Sequence, residues 1–178
     1  RFDTRKWKTA ADVLNYSEEK DLQNILKEYG EEPHARKIAA KILTERKKKK
    51  FETTKELCNF LDTEINSHIK TKMRVFQALR IEVNSELDTL KESLSQAIGL
   101  LQTEWDIFVI SFHSLEDRIV KQFFKKESRN CICSDIICTC WHTASLKLIS
   151  KKPILPSEKE QKENSRSRSA KARYAQKI

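Results

Sequence analysis

Glycine is nearly missing from this chain: only Gly30 and Gly99 occur in 178 residues. A loop that cradles a nucleotide with its backbone needs glycines for the tight turn and the close approach. That route to a nucleotide cofactor is therefore excluded. Long apolar runs are missing too. Mean hydropathy is −0.66, and no stretch approaches the roughly 18 apolar residues of a membrane span, so no membrane partner is expected. Arg1-Phe2-Asp3-Thr4-Arg5 carries neither an initiating Met nor the apolar core of a secretory signal. No repeat at a solenoid period is present. Cysteine is scarce outside one segment, which holds four of the five. Such crowding favours metal or thiol chemistry in a reducing compartment over a distributed disulfide framework.

Positive charge is plentiful. Lys and Arg outnumber Asp and Glu by 35 to 26, for a formal net charge of +9. The surplus suits an anionic partner, nucleic acid first; a solubilising surface accounts for it equally well.

Residues 1 to 8 read as a leading loop with Phe2 and Trp7. Thr9 is placed to cap a short helix carrying Val13 and Leu14, and Ser17 to cap the next, with Leu22, Ile25, Leu26 and Tyr29 on one face. Gly30 suits the position just past that helix, and Pro33 the first turn of a third with Ile38, Ala39, Ile42 and Leu43. This helix runs into Arg46–Lys50, where cations suit the helix dipole. Thr53 and Glu56 have capping-box spacing before Leu57, Phe60, Leu61 and Ile65. From Arg74 to Leu101 apolar residues recur every three or four positions, which predicts one long amphipathic helix.

The pattern then changes. Asp106–Phe112 is β-branched and aromatic enough for a buried strand. Ser114 stands three residues before Asp117, a capping-box spacing, and Ile119, Val120, Phe123 and Phe124 follow at helical intervals. Ser111, His113 and Ser114 thus sit where a strand hands over to a helix, the kind of corner where α/β sheets bind ligands. Two further strands are expected at Ser145–Lys152 and Ser169–Ala175. The predicted class is α/β: a helical lobe followed by half of an α/β sheet.

Several side chains carry two readings. His113 either lines a pocket or packs against the helix; Ser114 reads more readily as a helix cap. Arg80, among apolar neighbours, either meets a phosphate or pairs with Asp117 or Glu86. Arg118 poses the same choice. Arg166, Arg168 and Lys171 suit phosphate contacts or a solvated strand edge. Cys131, Cys133, Cys138 and Cys140, spaced Cys-x-Cys, four residues, Cys-x-Cys, could hold tetrahedral zinc or form a loop of reduced thiols.

Ile110-Ser111-Phe112-His113-Ser114-Leu115-Glu116-Asp117-Arg118-Ile119-Val120-Lys121 resembles the signature of the bacterial cytosine-N4 16S ribosomal RNA methyltransferases. Three other blocks match that family in order: Tyr29-Gly30-Glu31-Glu32 with Ala35–Ala39, Phe76-Gln77-Ala78-Leu79-Arg80-Ile81 with Val83-Asn84, and a tail comprising Lys152-Pro153-Ile154, Pro156-Ser157-Glu158 and Arg166–Lys171. Arg1-Phe2-Asp3 resembles the end of the family's Asp-Met-Arg-Met-Asp segment. Two departures stand out. Thr103-Glu104-Trp105 replaces a Pro-Gly-Gly turn, and Lys70-Thr71-Lys72-Met73 replaces His-Pro-Ala-Thr.

The resemblance implies that residues 1–70 are the family's helical, RNA-recognising insertion. Residues 71–178 would be the C-terminal half of a class I, Rossmann-like methyltransferase sheet with its final antiparallel hairpin. It implies S-adenosylmethionine as methyl donor, held mostly by a segment upstream of this chain, so the chain alone would be inactive. It implies 16S rRNA within the small ribosomal subunit as partner, a bacterial cytoplasmic setting, and a decoding-centre cytosine as target. A homodimer is left open. Ser111, His113 and Ser114 become the rim of the base pocket, with RNA contacts from Arg74, Arg80, Arg118, Arg166, Arg168 and Lys171. The alternatives are a non-enzymatic basic RNA-binding module and a zinc-stapled interaction protein.

Overall fold

The computed structural model describes residues 8–66, 68–133 and 138–178. The leading segment with Phe2 and Trp7, and the Arg1-Phe2-Asp3 match, lie outside the described residues. The chain divides into two compact units, Arg1–Glu86 and Leu87–Ile178.

Among the described residues the first unit is entirely helical. Helix α1 (Ala10–Tyr16) opens on a capping box: Thr9 Oγ1 accepts from the Asp12 N–H, and Asp12 accepts from the Thr9 N–H. Ser17, expected to cap the next helix, instead closes α1 through its N–H on the Val13 carbonyl. Helix α2 (Glu19–Asn24) runs straight into a π-helical turn, Ile25–Tyr29. Helix α3 (Ala35–Lys48) begins just past Pro33 and ends in basic residues, as its dipole favours. Helix α4 (Thr54–Thr63) carries the expected Thr53–Glu56 capping box. Helix α5 (Ile69–Asn84) completes the unit.

Leu22, Leu26, Ile38, Ile42, Leu57 and Leu61 are the centre of its core. Val75, Ala78, Leu79 and Val83 of α5 join the same core, so the spatial division falls after Glu86 rather than at residue 70. Gly30 is required by close approach: a Cβ there would stand 2.6 Å from the Leu26 carbonyl oxygen and 2.8 Å from that of Arg74. Its φ is negative, so the close approach, not a left-handed conformation, requires glycine there.

The single long helix expected from Arg74 to Leu101 is broken. Ser85 adopts the left-handed conformation (φ 53°, ψ 39°), separating α5 from α6 (Glu86–Leu100). Polar side chains hold the break. Asn84 donates to the Arg80 carbonyl at 2.8 Å, and Arg80 Nε donates to Glu86 at 2.9 Å. The three- and four-residue apolar spacing continues across it, which is why periodicity alone misses it.

The second unit joins α6 to a mixed set: β1 (Asp106–Ser111), α7 (Ser114–Glu127), β2 (Leu146–Leu148), α8 (Glu158–Glu163), a 3-10 turn at Ser165–Ser169 and β3 (Lys171–Lys177). The three strands form one antiparallel sheet in the order β1-β3-β2. Both later strands differ from expectation. β2 is much shorter, because Pro153 and Pro156 flank only an isolated bridge between Ile154 and Ala172. β3 starts and ends later, because Ser165–Ser169 coils instead of extending.

Alternation sorts the sheet into two faces. Ile107, Leu146 and Ala175 lie in one core with Leu94 and Ile98 of α6 and Val120 and Phe124 of α7. The opposite face carries Phe108 and Ile110, 58% and 61% exposed. Phe108 stacks on its cross-strand partner Tyr174, ring centroids 4.0 Å apart. Before β1, Glu104 takes φ 70°, where the resembling family places glycine. The chain is thus mixed α/β with a small antiparallel sheet, and no described helix is long and apolar enough to cross a membrane.

Candidate functional site

The corner after β1 is built by hydrogen bonds that the sequence half-announces. Ser111, 3% exposed, ends the strand and its Oγ donates to the Lys171 carbonyl on β3 at 3.3 Å. The next turn is not capped by Ser114. His113 is the N-cap of α7, and its Nδ1 accepts from the Glu116 N–H at 3.3 Å. Glu116 Oε2 returns the contact, accepting from the N–H groups of Phe112 (2.8 Å) and His113 (3.3 Å). The expected Ser114–Asp117 box is thus displaced by one residue. An imidazole nitrogen reaches the third amide as a serine hydroxyl would, and Ser114 becomes an exposed first helical residue.

This cap sets the histidine's protonation pattern. With the Nδ1 lone pair accepting, the neutral ring carries its proton on Nε2. That nitrogen is buried and has no aligned hydrogen-bond partner, although Glu116 Oε1 stands 3.2 Å away. Burial would raise the Glu116 carboxyl; the His113 ring and the N–H groups of Phe112 and His113 outweigh it and hold it below the usual range.

Asp117 faces β3. Arg173 Nε donates to Oδ1 at 2.7 Å, and Lys171 Nζ stands 3.5 Å from Oδ2. Burial again opposes ionisation, and the two cations override it, holding Asp117 below its ordinary value. Arg173 is 8% exposed and went unnoticed in the sequence. The signal was available: Lys171, Arg173 and Ala175 alternate onto one face, and a charge facing inward there demands a partner.

The structure therefore gathers Ser111, His113, Glu116, Asp117, Lys171 and Arg173 at one strand end. The other basic candidates lie elsewhere. In the helical unit, Arg74 pairs with the buried Glu32 at 3.6 Å, and Arg80 with Glu86. Arg118 is exposed at the start of the second turn of α7. Arg166 and Arg168 project from the 3-10 turn while Ser167 between them is buried. Asn164 ties this turn, accepting from the Arg166 and Ser167 N–H groups at 3.1 and 3.0 Å. Among the described residues, neither arginine carries an ion pair.

The four clustered cysteines also come together, with all Sγ atoms within 4.8 Å of one another. N–H groups of Ile132 and His142 pull the Cys140 thiol down to about 6. The Cys133 N–H favours the Cys131 thiolate, but the neighbouring thiols and burial win and push Cys131 up to about 12.

The profile of the MraW methylase family matches residues 1–178, and the chain belongs to that family. Proteins named ribosomal RNA small subunit methyltransferase H are similar to it throughout. The one from Caldicellulosiruptor bescii is 47% identical over all of this chain and 60% of its own length. That from Carboxydothermus hydrogenoformans is 46% identical over all of this chain and 59% of its own. That from Dehalococcoides mccartyi is 45% identical over all of this chain and 52% of its own. The chain thus spans between half and three-fifths of the length of these relatives.

A methylase implies a methyl donor, of which S-adenosylmethionine carries a nucleoside. The residues described do not fit one. Gly30 closes a π-helical turn pressed against α5, and Gly99 lies inside α6, so neither opens a loop after a strand.

Proposed function

We propose that this chain is the RNA-facing, C-terminal portion of an S-adenosylmethionine-dependent methyltransferase acting on N4 of a cytosine in the decoding centre of 16S rRNA, on the small ribosomal subunit in the bacterial cytoplasm. The observation that carries this reading is similarity along the whole chain to proteins named for methylation of small-subunit ribosomal RNA. The helical unit acts as the RNA-recognising insertion, and the second unit as the closing part of a class I sheet. The open apolar face at Phe108 and Ile110 supports a further layer of the full-length protein packed on this sheet.

The chain's own contribution is to position the base. Exocyclic cytosine amines are poor nucleophiles because their lone pair is delocalised into the ring. Acceptors that hold the N–H bonds release that pair, and the base must leave its stack to reach them. The Ser111–His113 corner forms the pocket rim, with the buried Nε2–H of His113 as a donor to a base or phosphate. Arg166, Arg168 and Arg118 contact phosphates and fix orientation without reading sequence.

The test is methyl incorporation into small subunits by a protein of the relatives' full length, with the product nucleoside identified by mass spectrometry. N4-methylcytidine is expected; a different methylated nucleoside overturns the assignment. The present chain alone should bind RNA with an affinity that falls as salt rises, and should transfer no methyl group. Turnover by this chain alone would refute the division of labour.

A further inference from the structure

Between α7 and β2 runs a long loop without regular secondary structure among its described residues. Its base is closed. The Ser145 N–H donates to the Glu127 carbonyl at 2.8 Å, Ser145 Oγ to the Glu127 carboxylate at 2.9 Å, and the Ala144 N–H to Asn130 Oδ1 at 3.2 Å. Among the described residues, no apolar core fills the loop above this base. Four sulfurs stand there instead, those of Cys131, Cys133, Cys138 and Cys140. Residues 134–137 lie outside the described residues.

The distances fit a coordination sphere. Tetrahedral zinc–thiolate bonds of about 2.3 Å put neighbouring sulfurs about 3.8 Å apart. Cys138 and Cys140 Sγ are 3.8 Å apart, Cys140 and Cys131 Sγ 3.9 Å, and every pair is within 4.8 Å. Disulfides fit poorly, since the sulfurs stand at almost twice the roughly 2.05 Å of an S–S bond. The backbone already serves the sulfurs. N–H groups of Ile132, Cys133 and Thr139 donate to Cys140, Cys131 and Cys133 at 3.5, 3.4 and 3.4 Å. Such outer bonds orient thiolate ligands and spread their charge. His142 does not join the cluster of ligand atoms, and its Nε2 stands 3.1 Å from the Lys126 carbonyl oxygen.

We propose that Cys131, Cys133, Cys138 and Cys140 form a structural site for one zinc ion, closed to substrate, which serves as the core of this loop. Each thiol loses its proton to solvent as its sulfur ligates the metal. All four tetrahedral positions are taken by protein, so the ion has no catalytic vacancy and its role is to staple. The site is independent of the methylation reading and stands or falls without it.

The test uses the intact chain, purified under reducing conditions without chelator and equilibrated with zinc. Metal analysis should find about one zinc per chain, and the Cys138→Ser, Cys140→Ser double variant should retain less than about a tenth of that. Cobalt replacing zinc in the unaltered chain should show tetrahedral ligand-field bands and thiolate charge-transfer absorption, a readout that needs no variant to fold. Thiol titration should find Cys58 alone reactive with metal bound, and all five cysteines reactive after chelation. Sub-stoichiometric zinc, a cobalt spectrum without thiolate bands, or disulfides found by mass under the same reducing conditions would each overturn the site.

Discussion

The two units bury their apolar residues differently. In the helical unit, the five helices and π turn among the described residues enclose a core in which Leu22, Leu26, Ile38, Ile42 and Leu61 are fully shielded. The sheet unit closes on one side only. Ile107, Val120, Phe124, Leu146 and Ala175 share a core, while Phe108, Ile110 and Phe112 on and beyond β1 are more than half exposed. The first unit has the economy of a self-contained helical domain. The second is a sheet with one finished surface, organised around polar contacts at a strand end.

The largest test of this contrast sets Leu26→Ala against Phe108→Ser. The former leaves a cavity in a closed core and should cost about 2–5 kcal/mol, and the latter, on an exposed face where the stacking on Tyr174 is lost, about 1 kcal/mol or less. Chemical denaturation followed by circular dichroism measures both. Equal losses would erase the distinction between closed and open units.

A smaller effect is expected where polar pairing substitutes for packing. Asp117→Asn should cost about 2–3 kcal/mol, because Arg173 is left buried with a neutral partner. The pH dependence has a defined sign. The folded carboxyl is held below its free value of 3.8, so its contribution is present above that pH and is lost as pH falls through the lower folded value. Melting temperatures of wild type and variant should therefore differ from neutral pH down to about 4 and converge in stronger acid. A gap that persists at the acid end would show that the loss is not electrostatic.

The smallest change separates capping from base recognition. His113→Ala should cost about 1 kcal/mol through the lost cap, and His113→Asn, whose side-chain oxygen can accept the same N–H, should recover most of it. If Asn restores stability but not methyl transfer by the full-length enzyme, His113 acts on the substrate. If Asn restores both, the histidine is a cap alone.

Much of the helical unit was legible because its signals are local. Thr9, Thr53 and Glu56 announce their caps in sequence, and the apolar stripe of α3 matches its buried face. The strand at Asp106 and the helix after it were equally plain. Missed features depend on contacts distant in sequence or on chemistry that mimics another. Ser85 breaks a helix without disturbing its apolar spacing. His113 caps as a serine would, one position ahead of the obvious serine. Asp117 reads as a capping residue until β3 brings Arg173 to it from 56 residues away. Gly30 obeys the same rule in part: besides the local Leu26 carbonyl, the Arg74 carbonyl that crowds it is supplied by a helix far along the chain. At the strand-to-helix corner, the places of Ser111 and His113 were legible in the sequence, while the contacts of Glu116 and Arg173 needed the fold.

β1 carries one further consequence, for handling the protein. Among the described residues β3 is its one strand partner, so its other edge has no strand beside it there, next to the exposed Phe108 and Ile110. Exposed, flat and apolar edges recruit strands from other molecules. Concentrated solutions of this chain will therefore tend to associate edge to edge. Any dimer seen by sizing should first be challenged with a charged substitution at Ile110, since such a dimer would reflect stickiness at an unprotected rim rather than quaternary design.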